Sequence, residues 1–205
     1  MFGVSAALSR GGRPVDDETV LANFQGDPEC FAAVYDAYFR QIHRYVAARL
    51  GLAAADDLAA ETFLVAYRKR AAFDPVRGQV RPWLFGIATN LVAKHRRDEA
   101  RRYAALSRMP LLPQHEQDAS QEDSILARVS AQRLAGRLTA ALRGLAAGDR
   151  DVLVLAAVAQ LGYQEIAAAL DIPAGTVASR LSRARSKVRE ALGAEGEMED
   201  TPWMS

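Results

Sequence analysis

Residues 162–190, GYQEIAAALDIPAGTVASRLSRARSKVRE, read as two short helices joined by a tight turn. In the first half Ile166, Ala167 and Leu170 form an apolar stripe, with Gln164 and Glu165 outside it. Asp171, Pro173 and Gly175 predict a stop and a restart. In the second half Val177, Leu181, Ala184 and Val188, spaced 4, 3 and 4, predict a packed face. Arg180, Arg183, Arg185, Lys187 and Arg189 surround it with positive charge. A helical pair with a short turn and a basic second helix is the arrangement that enters the DNA major groove. Thr176 and Ser179 fall at the start of that second helix, where short hydroxyls can meet phosphates or base edges, and an arginine can take guanine with two hydrogen bonds. Spacing alone equally allows a solvated basic face on an ordinary packed hairpin.

Working outward, Leu134, Leu138, Leu142 and Leu145 predict a supporting helix ending near Gly148, and Asp149 is placed to cap the next, which carries Val152, Leu153, Leu155, Ala156 and Val158. Residues 105–123, ALSRMPLLPQHEQDASQED, break every periodicity and hold two prolines and four acids, which reads as a domain linker. Before it, Trp83, Leu84, Ile87, Ala88, Leu91 and Val92 predict a helix whose later turns become KHRRDEARR. A helix that turns from apolar to basic leaves a core and offers its end to a polyanion, or is simply solvated there. FDPVRGQVRP, residues 73–82, is a turn-rich connector.

Further back, AAADDLAAETFLVAYRKRAAF predicts a helix with Leu58, Phe63, Leu64 and Tyr67 toward a core. Asp56 and Asp57 fall in its first turn, where carboxylates complement the helix dipole, and with Glu61 they make an acidic cluster. Phe31, Val34, Tyr35, Tyr38, Ile42, Tyr45, Val46 and Leu50 predict a long amphipathic helix ending at Gly51, with Pro28 near its start. A short helix is expected around residues 18–24.

Of the 205 residues, half are hydrophobic and a quarter charged, enough to build compact cores. The net charge of +1 conceals an uneven distribution: six Lys or Arg lie between Lys94 and Arg108, while acids gather in the linker and in Glu195, Glu197, Glu199 and Asp200. The sole cysteine, Cys30, excludes an internal disulfide and reads as a small core residue. No metal-ligand spacing is present, so no cofactor is expected. The run VSAAL near the start is too short to span a bilayer, and no segment reaches the length of a membrane span, so no membrane insertion and a cytoplasmic setting are expected.

G-Y-x-E-I-A followed by L-x-I-P-x-G-T-V-x-S-R-L-x-R-A-R resembles the C-terminal DNA-binding domain of extracytoplasmic-function (ECF) RNA polymerase sigma factors. D-D-L-x-x-E-T-F-L-x-A-Y-R resembles the segment with which that family docks on polymerase, and W-L-F-G-I-A-T-N resembles its promoter-melting and minus-ten segment. The resemblance implies an all-α chain of two small helical domains joined by an extended linker. Its bounds are a flexible N-terminus at 1–15, a region 2 domain at 16–104, a linker at 105–123, a region 4 helix-turn-helix domain at 124–193 and an acidic tail at 194–205.

It further implies partners and residues. Asp56, Asp57, Leu58, Glu61 and Phe63 would bind core RNA polymerase at the clamp helices of its largest subunit, and the second domain would meet the flap region. Asn90, on a loop before the basic helix, would hold a flipped base, with Lys94, His95, Arg97 and Arg101 on the minus-ten strand. Thr176, Ser179, Arg180, Arg183, Arg185 and Lys187 would bind minus-thirty-five DNA. An anti-sigma factor is an expected partner, and no catalysis is expected. Ala60, Lys94 and Ala178 depart from the family pattern, which commonly has Gln, an acid and a base there. Two other readings compete. One is a stand-alone helix-turn-helix regulator; the other is a metal-dependent nuclease using Asp56, Asp57 and Glu61.

Overall fold

A computed structural model describes residues 28–74, 78–106 and 125–193. The helix expected at 18–24, most of the linker, the acidic tail and Trp203 lie outside them, as do the surroundings of the Cys30 side chain. Among the described residues the chain is all helical: α1 (Pro28–Leu50), α2 (Ala55–Lys69), α3 (Val80–Leu106), α4 (Ile125–Gly144), α5 (Ala147–Ala157), α6 (Tyr163–Leu170) and α7 (Ala174–Gly193), with single 3-10 turns before and after α2.

The first domain is the bundle α1–α3. Pro28 opens α1 where a missing N–H costs nothing. Gly51 ends it with φ +86 and its N–H on the Ala47 carbonyl at 2.8 Å, a left-handed closure that suits glycine. Val34, Tyr38, Ile42, Tyr45 and Val46 of α1 are buried against Leu58, Ala59, Phe63 and Ala66 of α2 and Leu84, Phe85, Ala88 and Val92 of α3. The buried Tyr45 hydroxyl donates to Thr89 Oγ1 at 2.8 Å, and Thr89 donates onward to the Phe85 carbonyl at 2.7 Å. The α3 helix begins earlier than the connector reading allowed: Pro82 sits in its first turn, where the helix needs no donor. It also runs through Leu106, two residues into the expected linker.

The second domain is α4–α7, with α7 as the centrepiece. Val177, Leu181 and Ala184 are buried and Val188 half-buried, as the spacing predicted. Asp171 ends α6 in the left-handed region at φ +51, a conformation Asp tolerates better than most residues. Asp149 does not cap α5 as expected. The N-cap is Ala146, and Asp149 lies buried in the first turn because Arg183 of α7 holds it. Leu138, expected on the packed face of α4, is exposed, while Leu142 is half-buried and Leu145, just past the helix end, is buried.

Arginines close three helix ends. Arg96 donates to the Arg49 carbonyl at 2.6 Å at the end of α1. Arg137 donates to the Ala191 and Leu192 carbonyls at 2.8 and 2.9 Å at the end of α7. Arg150 reaches the carbonyls of Leu142, Arg143 and Leu145 at 2.5, 2.6 and 2.8 Å at the end of α4. Each supplies donors to carbonyls without helical partners, and positive charge to the negative end of the dipole.

The two domains pack on each other chiefly through α3 and α6, and their buried residues form one continuous core. Gly86 lets the Ala169 backbone approach: a Cβ at Gly86 would stand 2.5 Å from the Ala169 carbonyl oxygen. Beside it Arg81 meets Glu165 at 3.0 Å, the Ala159 carbonyl at 2.5 Å and Gln41 Oε1 at 3.2 Å. Arg44 donates to the Val158 carbonyl at 2.9 Å, and Arg49 touches the Asp151 carboxylate.

Candidate nucleic-acid and partner interfaces

On α2 the helical period turns Leu58 and Phe63 inward, to 7% and 3% exposure, so neither is available to a partner as the sequence reading expected. The outward face instead presents Asp57, Glu61 and Leu64 at i, i+4 and i+7, with Ala60 between them. Asp56 lies to one side and meets His43 at 3.0 Å. Leu64 and Tyr35 are exposed large apolar residues, and Tyr35 stacks on Phe39 at 4.8 Å and edges Phe63 at 4.9 Å. The site is an acidic ridge beside an aromatic shelf. Sequence periodicity could have found Leu64, since it shares the face of the two acids.

On α3, Asn90, Lys94, Arg97 and Arg101 recur at 4, 3 and 4 and all four are exposed, so they form one polar stripe along the helix. Asn90 lies well inside α3 and not on a loop, because nothing between Val80 and Leu106 breaks the helix. His95 is turned away from the stripe, half-buried and facing Glu99 at 3.5 Å. Arg101 meets Asp98 at 3.4 Å. Trp83 is half-buried against Phe73, ring centroids 5.0 Å apart, a packing role.

On α7, Ser179, Ser182 and Ser186 lie opposite the buried face, a ridge of small side chains that lets a helix sit close to another surface. Arg185 and Arg189 flank it on one side and Arg183 and Lys187 on the other, all exposed. Ser179 Oγ donates to the Thr176 carbonyl at 3.0 Å, and Thr176 is half-buried at the α7 start. Arg180 packs its guanidinium on Gly148, and Arg183 binds Asp149 through two nitrogens at 3.1 and 3.4 Å. Of the six residues expected on DNA, Ser179, Arg185 and Lys187 are exposed and make no such ion pair among the described residues, while Arg180 and Arg183 also anchor α7 on α5. Sequence reasoning missed this second duty, since it depends on contacts across more than thirty residues.

Residues 34–102 match the family described as Sigma-70 region 2, and residues 135–188 match that described as Sigma-70, region 4. The chain is 31% identical over 194 residues to the ECF RNA polymerase sigma factor SigC of Mycobacterium tuberculosis, covering 90% of this chain and 95% of that protein. It is 30% identical over 174 residues to the ECF RNA polymerase sigma factor SigW of Bacillus subtilis, covering 82% and 91%. The solved structure of CnrH in complex with the cytosolic domain of CnrY aligns with a TM-score of 0.61 at 25% identity, covering 87% of this chain and 98% of that one. The chain therefore belongs to the ECF RNA polymerase sigma factors. Members of this family join core RNA polymerase and direct promoter-specific initiation of transcription, and this chain carries both helical domains of that function.

Proposed function

We propose that the first domain, residues 16–104, docks on the clamp helices of the polymerase largest subunit through Asp57 and Glu61, with Asp56 beside them and the exposed Leu64 and Tyr35 as apolar neighbours. The same domain takes the unpaired minus-ten strand along the α3 stripe, Asn90 meeting a base and Lys94, Arg97 and Arg101 the backbone, with His95 at the margin. The second domain, residues 124–193, sets α7 in the groove of minus-thirty-five DNA, with Ser179, Arg185 and Lys187 foremost, and leans on the polymerase flap region. The single observation that carries this reading is the α3 stripe, four exposed polar or cationic residues along one face of the helix.

The protein performs no chemistry of its own and works in the cytoplasm beside polymerase. Tethering both domains to polymerase raises the effective concentration of each for its element, so neither needs to bind DNA tightly alone. The likeness to CnrH, seen bound to the cytosolic domain of CnrY, supports an anti-sigma protein as a partner here too.

Engaging both elements requires the domains to part. Twenty-five base pairs span roughly 85 Å at 3.4 Å per pair, whereas a packed chain of this length has a radius of gyration of roughly 17 Å. Run-off transcription with purified core polymerase on genomic fragments tests the proposal. New discrete starts sharing paired upstream elements are expected; absence of both new starts and binding to core would overturn it.

A further inference from the structure

Where the two domains meet, the end of α1, the middle of α3 and the α4–α5 junction line a half-open cavity of about 440 Å³. Arg49, Arg96, Arg143 and Arg150 all line it, and Glu99 is the one carboxylate in its wall. The arginines are held mainly by neutral groups. Arg96 is tied to a carbonyl of α1, and Arg150 to three carbonyls at the end of α4. These bonds fix position without cancelling charge. Only Asp151, touching Arg49 from behind the wall, adds to Glu99 as a counter-charge.

The cluster is short of negative charge, with Arg49 at its centre. Arg49 is 7% exposed, yet among the described residues its Nε and Nη1 meet no hydrogen-bond acceptor. A buried guanidinium with idle donors is costly. Burial first, and then repulsion from Arg49, push both Arg96 and Arg150 below the ordinary arginine range. Guanidinium forks match phosphate oxygens in pairs and hold them better than a point charge would. Leu50, Leu142 and Val154 add apolar wall on which an organic group can rest.

We propose that this interdomain cavity binds a small molecule bearing a diphosphate group, of about the size of a nucleoside diphosphate, and that the ligand fastens the two domains together. Arg49 and Arg96 belong to the first domain and Arg143 and Arg150 to the second, so one anion shared among them bridges the interface. The inference stands on the cavity alone and does not depend on the polymerase or promoter assignments.

The test is calorimetric titration of the full chain with inorganic pyrophosphate and with ADP at physiological ionic strength. Saturable binding of both is expected, with ADP tighter because it also covers the apolar wall. Arg143 is exposed, so Arg143→Glu leaves the fold intact and should weaken ADP by about tenfold or more, the equivalent of one charge-assisted contact. Thr139→Glu, another exposed position in the lining, should do the same, whereas Arg185→Ala on α7 should not. Fluorescent labels on the two domains should draw closer, or hold closer, when ADP is added. Failure of both anions to bind, or equal binding by Arg143→Glu and Thr139→Glu, overturns the proposal. A short single-stranded oligonucleotide is the other source of the same phosphate chemistry. If it displaces ADP and loses affinity equally in Arg143→Glu, the arginines belong to a nucleic-acid backbone and the proposal also fails.

Discussion

Gly86 on α3 and Ala169 on α6 are in such close contact that a Cβ at Gly86 would stand 2.5 Å from the Ala169 carbonyl oxygen and 3.4 Å from its carbon. The obstacle is backbone within a helix, which cannot swing aside as a side chain can. Gly86→Ala should therefore separate α6 from α3 while leaving the α1–α3 core intact, since the added methyl points out of that bundle. An increased radius of gyration in solution scattering, with unchanged helix content, is the expected result. An unaltered radius would show that the helices can slide without parting.

Arg183 and Asp149 give a second prediction. Asp149 is buried at 6% exposure, and Arg183 donates a hydrogen bond to each of its carboxylate oxygens. The Arg183 side chain is itself 57% exposed, so solvent already weakens the pair. Arg183→Ala should cost about 1–2 kcal/mol, mainly by leaving the carboxylate unpaired. Arg185→Ala, at an exposed position with no such partner among the described residues, should change thermal stability little. Equal melting temperatures for the two variants would remove the anchoring role and return Arg183 wholly to DNA.

Tyr45 makes the fold sensitive to alkali. Burial raises its hydroxyl from the ordinary 10.0 to about 12, against the opposing pull of Arg49 and the Thr89 hydrogen bond. Below pH 10 both folded and unfolded chains keep the proton, and the contribution is fully present. From pH 10 to about 12 the unfolded chain releases it while the native chain holds it. The unfolded state then binds fewer protons, so stability should fall with rising pH by about 1.4 kcal/mol per unit. Tyr45→Phe should flatten that slope, at a cost of about 1 kcal/mol at neutral pH for the lost hydrogen bond. Urea melts across that interval decide the matter, and identical slopes would refute it.

Docking on polymerase should depend on the outer face of α2. Asp57→Arg combined with Glu61→Arg reverses two exposed charges without touching the core, so folding should be preserved. Affinity for core polymerase should drop at least tenfold, with most of the loss sensitive to salt. Leu64→Ala should weaken the same complex, whereas Phe63→Ala should act by unfolding the first domain. Undiminished capture of polymerase by the charge-reversed protein would move the docking surface elsewhere.

Asn90→Ala should impair strand opening more than closed-complex formation, because the proposed partner of this exposed amide is a base already unstacked from the duplex. Permanganate reactivity of thymines near the minus-ten element would fall while the footprint persisted. A parallel loss of both would mean that Asn90 serves duplex binding.

Periodicity told much of which residues are buried, best for α7, but it also set Tyr35 of α1 and Leu64 of α2 among the packed residues, and both are exposed. Val177, Leu181 and Ala184, like Val34, Ile42 and Tyr45, lie where their spacing put them. It could not tell what covers a face. Spacing turned Leu58 and Phe63 toward a core, where they lie, while the family resemblance set them on a partner; packing by α1 and α3 buries them. Asp149 carries the chemistry of a helix cap, yet the arginine thirty-four residues later recruits it instead. Gly86 looks like a mild flaw in a helix until α6 is laid across it. Local signals named the elements and much of the exposed charge, while pairings distant in sequence decided which of those charges remain available.

Gly86 also shares its side of α3 with Asn90, Lys94, Arg97 and Arg101, following on at one-turn intervals. The surface assigned to the opened promoter strand is thus continuous with the seat of α6. The four exposed residues stay open in the packed chain, and only a strand running on past Asn90 toward Gly86 would meet α6, so the second domain marks where that stripe ends.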